Sequence, residues 1–178
     1  MKSFNVALGF VCLFSMALAS CDKIEDLIVF KIEDTTQFTI PANTIIELPV
    51  DILTPESEVD LTTELENNDS RKDKIKTIRL DKLHLTITSP PDKTFSFLNS
   101  IKLYILVDGL PEKQIGELLN IPANVGGVIK LDTFNDDLAE YIKEERIRIR
   151  ARVETDEAIT QNIQVEVFSS FRVTADIF

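Results

Sequence analysis

Tryptophan is absent from the chain, tyrosine occurs only at Tyr104 and Tyr141, and histidine occurs once, at His84. Sugar-binding sandwiches stack ligands on Trp or Tyr faces. Tyr104 is the one plausible platform, because Tyr141 falls on the apolar side of a short helical pattern. A Ser-His-Asp hydrolase needs a histidine held by an orienting carboxylate, and a structural zinc site needs about four Cys or His ligands. His84 sits between Leu83 and Leu85, which take the inward phase of a strand, so it is expected to face solvent beside Lys82 and Thr86. The two cysteines, Cys12 and Cys21, are too few for a disulfide framework. Five glycines and seven prolines exclude a low-complexity stalk. Positive charge is scarce: 19 Lys+Arg face 30 Asp+Glu, a net charge of −11. Such a surface repels phosphate backbones and anionic lipid headgroups, so nucleic acid is not expected as a partner.

What is present begins with an address. Lys2 precedes an apolar run over residues 6–18 that is too short to span a bilayer and long enough for a secretory signal core. Leu18-Ala19-Ser20-Cys21 then resembles the lipobox of bacterial lipoproteins, small residues before an obligatory cysteine. The resemblance implies a signal peptide over 1–20, lipidation of Cys21, a short tether over 21–26 and one domain over 27–178. The competing reading is ordinary cleavage after Ala19 or Ser20, leaving a free thiol at Cys21, a liability in an oxidising compartment. One myristoyl chain holds a protein only marginally, whereas the two or three chains of a lipoprotein hold it durably. Asp22, Glu25 and Asp26 resemble the acidic stretch that sends some Bacteroidetes lipoproteins to the cell surface, although Lys23 and Ile24 interrupt it.

Period-two alternation dominates the body. Ile101, Leu103, Ile105 and Val107 form one strand, ended by Asp108-Gly109; Leu83, Leu85 and Ile87 form another, ended by Ser89-Pro90-Pro91-Asp92. Ile78 and Leu80 lie in the opposite phase to Leu83 and Leu85, which predicts a bulge or break near Asp81-Lys82. Ile147, Ile149, Ala151 and Val153 alternate with Arg146, Arg148, Arg150 and Arg152, and Ile163, Val165 and Val167 follow after a polar connection. These last two segments read as a hairpin packed on one face. With Val153 opposite Ile163, Arg152 would face Gln164, Arg150 Glu166, Arg148 Phe168 and Arg146 Ser170. Further strands are expected over 27–32, 37–40, 45–50, 59–65, 114–118 and 128–131, the first preferred for its β-branched content although Ile24, Leu27, Ile28 and Ile32 also fit a helix face, and a helix over 135–142, led by Asn135, Asp136 and Asp137. Residues 66–74 hold no apolar side chain and, with 22–26, are expected to be the most mobile parts. Many strands, one short helix and no βαβ rhythm predict an all-β antiparallel sandwich.

The stretch 83–109, with Thr94-Phe95-Ser96-Phe97-Leu98 and the run from Tyr104 to Leu110-Pro111, resembles small lipoproteins of Bacteroidetes-type bacteria. That resemblance implies a lipid-anchored sandwich of immunoglobulin-like or LEA14-like outline and supplies no catalytic residue. Phe95 and Phe97 are read as a plug of the core rather than a contact loop. Asp132-Thr133-Phe134-Asn135-Asp136-Asp137 fails as a calcium loop, because Phe134 stands where a ligand is needed and the glycine is missing. No metal and no cofactor are expected. The function expected is a non-enzymatic binding or accessory module, anchored in the bacterial envelope, foremost the outer membrane, and serving another envelope protein or a glycan. The rival is a metal-independent hydrolase with a carboxylate site. The row Arg146, Arg148, Arg150 and Arg152 is the candidate partner-binding face, against the plainer reading of a solvated, cross-paired sheet surface.

Overall fold

The computed structural model describes residues 27–44 and 46–177, so the lipobox and Cys21 lie outside the described residues. Ten strands form two antiparallel sheets that face each other across one core. The first sheet contains β1 (Leu27–Ile40), β4 (Ile75–Ser89), β7 (Val128–Lys130) and β10 (Ile163–Asp176), in the order β1-β10-β4-β7. The second contains β2 (Val50–Leu53), β9 (Arg146–Thr155), β5 (Leu98–Leu106), β6 (Lys113–Leu119) and β8 (Asp132–Thr133) in that order, with β3 (Ser57–Glu58) also on β9. Two short helices, α1 (Leu61–Asn67) and α2 (Ala139–Ile142), lie in the connections between strands. The inward residues of both sheets, among them Ile40, Leu85, Leu103, Val153 and Phe171, are fully buried.

The all-β sandwich is thus the architecture of the described chain. The expected phase change in β4 is a bulge: Lys82 pairs with Ser170 and Leu80 with Phe171, leaving Asp81 as the extra residue. The displaced Asp81 carboxylate accepts hydrogen bonds from Lys31 and Arg172, and that contact with Lys31 lowers its pKa. One extra residue therefore restores the inward phase and creates a surface ion cluster at the same point.

The C-terminal hairpin is corrected. β9 and β10 belong to different sheets: β9 pairs with β5, β2 and β3, whereas β10 lies between β1 and β4. Glu166 faces Gln37 and Thr86, and Gln164, Phe168 and Ser170 also pair within the first sheet, so none of them meets an arginine of β9. The physical reason is that period two reports which face is buried and is silent about which sheet supplies the neighbour. Both strands bury one face in the same core from opposite sides, and the connection between them carries Ile159, buried to 3% exposure.

Five smaller expectations also change. Residues 27–32 and 37–40 are parts of one strand, because Asp34 and Thr36 continue the inward phase between them. Of the expected 45–50 strand, residue 45 lies outside the described residues and strand β2 begins only at Val50: Glu47 takes a left-handed φ of 60° and Pro49 can donate no ladder bond. The 59–65 strand is α1, because the Asp60 side chain accepts from Thr63 N and Glu145 Oε1 accepts from Thr62 N, so two donors of the first turn are capped despite β-branched Thr62 and Thr63. The 135–142 helix shrinks to α2, because Leu138 N donates to Ile78 O and Asp137 Oδ1 accepts from both Ile78 N and Ala139 N, holding the preceding residues against β4. Residues 66–74 contain the end of α1 and a 3-10 turn (Lys72–Lys74), with Ser70 buried and its hydroxyl donating to Asp176 O at 2.7 Å.

Asp34 is a carboxylate inside the sandwich, 9% exposed and accepting from Ser57 Oγ at 3.2 Å. Burial raises its pKa, against the opposing hydrogen bonds from Ser57 and Thr35 N. The folded chain then binds the Asp34 proton more tightly than the unfolded chain does. Stability therefore falls as pH rises from the ordinary value of 3.8 through the raised one. Asp34→Asn is expected to raise Tm at pH 7, by about 2–4 °C for each kcal/mol recovered. The gain should vanish at pH 3, and thermal melts across that range check it.

Candidate functional site

Inward Ile147, Ile149, Ala151 and Val153 leave the arginines of β9 on the outer face of the second sheet. There β5 sets Tyr104 opposite Arg150 and Lys102 opposite Arg152, while β2 sets Asp51 opposite Arg152. Arg150 is the centre of the cluster. Its Nη1 donates to Asp51 Oδ1 at 2.6 Å, and its Nε and Nη2 donate to the two oxygens of Glu112 at 3.0 and 2.8 Å. The guanidinium lies 4.1 Å from the Tyr104 ring centroid, and only 13% of the Arg150 side chain is exposed. Arg152 grips Asp51 with a second fork, Nε to Oδ1 at 2.8 Å and Nη2 to Oδ2 at 2.9 Å. These bonds lower the Asp51 pKa, the hydrogen bond from Arg152 most, and raise that of Arg152. Arg148 pairs with Asp108, and exposed Arg146 stands opposite Glu58 of β3.

Sequence reading placed all four arginines on one outward face but assigned them the wrong partners. Asp51, Asp108 and Glu112 come from β2 and from the connection between β5 and β6, where no alternation marks them. The arrangement is a lattice of shared ion pairs around a stacked tyrosine. Bidentate forks with a cation–π contact fix geometry more than they add stability, each exposed pair contributing roughly 0–1 kcal/mol. A double-mutant cycle of Arg150→Ala with Glu112→Ala is expected to show coupling of about 0.5–1 kcal/mol in denaturant unfolding. The cycle of Arg150 with Glu166 should be additive, since the two residues lie on different sheets.

The other candidates resolve in the same way. Tyr104, the one plausible sugar platform, has a face covered by the Arg150 guanidinium. Tyr141 is buried and donates to Pro111 O at 2.8 Å. His84 lies on the outer face of the first sheet, 5.9 Å from the Phe168 ring and opposite Lys130. Desolvation, then Lys130 and Lys82, lower its pKa, so it is neutral at pH 7. Phe95 and Phe97 are completely buried, as a core plug requires. In the 132–137 stretch, Asp136 reaches Lys113 at 3.7 Å, Asn135 O accepts from Arg79, and Asp137 holds β4. Among the described residues no three His, Cys, Asp or Glu side chains are grouped to hold a metal ion, and no helix is long and apolar enough to cross a membrane.

Shallow clefts lie among the described residues. One of about 330 Å³ is lined by Lys31, Ile32, Glu33, Asp60 and Glu64. A second of about 170 Å³ lies at the outer end of the arginine row, where Arg146 and Arg148 meet Glu56, Asp108 and Glu144. Asp34, the carboxyl with the raised pKa, lines neither. The chain matches no protein-family model and no curated protein.

Proposed function

We propose that the protein is a lipid-anchored, non-enzymatic accessory module of the bacterial envelope, held in the outer membrane through Cys21 and serving another envelope protein. The observation that carries this reading is the lipobox-like Leu18-Ala19-Ser20-Cys21, followed after only five residues by the first strand of the sandwich at Leu27. A glycan partner is less well supported, because Arg150 lies over Tyr104. The rival metal-independent hydrolase would need carboxylates converging in a cleft with a raised pKa. The buried Asp34 does not offer that, being committed to Ser57 between the sheets.

Within the arginine row, Arg150 and Arg152 are engaged with Asp51 and Glu112 and Arg148 pairs with Asp108, so the candidate partner face centres on exposed Arg146, with Arg148 beside it at the smaller cleft. Two measurements test the reading. Mass spectrometry of the native N-terminal peptide is expected to show a diacyl or triacyl cysteine, and Cys21→Ser should accumulate precursor; a free Cys21 thiol on the mature protein would end it. Reversal of Arg146 and Arg148 to glutamate should lose the protein partner recovered from crosslinked envelope. Unchanged recovery would leave the row a structural surface only.

A further inference from the structure

The end of the first sheet where the described chain begins brings exposed apolar and basic side chains together. β1 and β4 both run antiparallel to β10, so the starts of β1 and β4 and the end of β10 meet at one end, with Leu27 opposite Asp176 and Ile75 opposite Ala175. Large apolar side chains are exposed there: Leu27 at 53%, Val29 at 61% and Ile177 at 44%. Beside them lies a basic stretch of an acidic chain. Residues 71–79 carry five cations, Arg71, Lys72, Lys74, Lys76 and Arg79, against one acid, Asp73, while the whole chain has a net charge of −11. The 3-10 turn Lys72–Lys74 leads directly into β4, and Ser70 Oγ and Lys76 Nζ both bind Asp176, at 2.7 and 3.0 Å, tying the basic stretch to the end of β10.

The length of chain between Cys21 and this end says what it faces. An extended chain spans at most about 3.3–3.6 Å per residue, so Leu27 stays within about 20 Å of Cys21 whatever path the tether takes. If Cys21 carries acyl chains, that reach keeps the apolar, basic end within a protein's radius of the headgroups. The tether itself is acidic, with Asp22, Glu25 and Asp26 against Lys23, so attraction to an anionic surface has to come from the folded body.

We infer that this end docks on an anionic phospholipid surface: Leu27, Val29 and Ile177 enter the headgroup layer while Lys74 and Lys76 lie among its phosphates. The inference rests on the anchored reading and adds an orientation to it, with the first sheet's β1 start facing the membrane and the opposite end of the sandwich facing away. Apolar side chains at the acyl boundary and basic ones among anionic headgroups are the two attractions that hold peripheral surfaces to a bilayer.

The test uses mature protein purified from the envelope and reconstituted in phosphatidylcholine vesicles with or without phosphatidylglycerol. With Cys12 removed and the Cys21 sulfur in a thioether, Val29→Cys supplies a unique thiol for an environment-sensitive dye, and Gln161→Cys, exposed at the far end, supplies the control. Nitroxide-bearing lipids are expected to quench the dye at 29 and not at 161, more strongly with phosphatidylglycerol. Lys74→Gln and Lys76→Gln should each lower the docked-to-undocked ratio about fivefold. Lys74→Gln alone leaves the Lys76 bridge to Asp176 intact and guards against a folding effect. Acylated protein whose dye at 29 is quenched no more than at 161, or whose quenching ignores both lysines, overturns the docking and leaves the anchor standing. An N-terminal peptide without acyl chains overturns both.

Discussion

Phe97→Ala is expected to cost about 3–5 kcal/mol in denaturant unfolding, the range for removing a fully buried aromatic ring. Phe97 has no exposed surface, and its ring lies 6.2 Å from that of Phe95 with Lys93 Nζ 5.3 Å above it. The 3-10 turn over Phe95–Phe97 turns both rings into the sandwich just before β5 begins, and Phe95 N donates to Gly126 O, which holds the turn against the connection that leads into β7. A lysine nitrogen over the ring seals the plug from outside, its stem covering apolar surface while the charge stays wet. Had these phenylalanines formed an exposed contact loop, the same substitution would change stability by no more than about 0.5 kcal/mol.

Gly116→Ala is expected to destabilise by about 1–3 kcal/mol through overpacking, measured in the same way. A methyl group added at Gly116 would stand 2.5 Å from Leu83 Cδ2 and 3.0 Å from Asp132 O. The leucine belongs to the opposite sheet and can yield by changing rotamer. The carbonyl belongs to the neighbouring strand β8 and cannot yield without breaking the β6–β8 pairing at Gly116 and Thr133. Just before this point β6 carries a bulge, since Leu103 pairs with Gly116 and Tyr104 with Gln114, so that Ile115 is extra. Both Ile115 and Gly116 then turn inward, and only a residue without a side chain fits the second of these places. Gly116→Val should be the more damaging of the two, because its branch points at the carbonyl as well as the leucine.

Burial phase was legible in the sequence almost everywhere, and pairing was legible almost nowhere. The inward residues of β4, β5, β9 and β10 follow from alternation alone, and the bulge at Asp81 follows from the clash between the phases of Leu80 and Leu83. Alternation is a property of one strand and its solvent, which is why it survives translation into any sheet. Which strand lies alongside depends on connections whose direction no local pattern encodes, so β9 and β10 looked like a hairpin and are opposite walls. Local capping also outweighed propensity: Asp60 and the distant Glu145 make a helix of residues whose β-branched pair reads as strand. The arginine row was visible because it alternates. Its carboxylate partners sit where chain order and spatial order disagree, and only the fold brings Asp51, Glu112 and Arg150 together.

β10 has β1 along its entire length on one side and β4 on the other, and its first pairing joins Leu27 to Asp176 across nearly the whole described chain. The first of the described strands therefore has to wait for the last. Contacts of such sequence separation slow folding, because the entropy of closing the loop is lost before any pairing offsets it. Were the chain exported as proposed, threaded through a translocon from its N-terminus, the delay would be useful. β1 would emerge without its neighbour, the first sheet could not zip until β10 is delivered, and the polypeptide would stay pliable enough to be pulled through for as long as pulling is required.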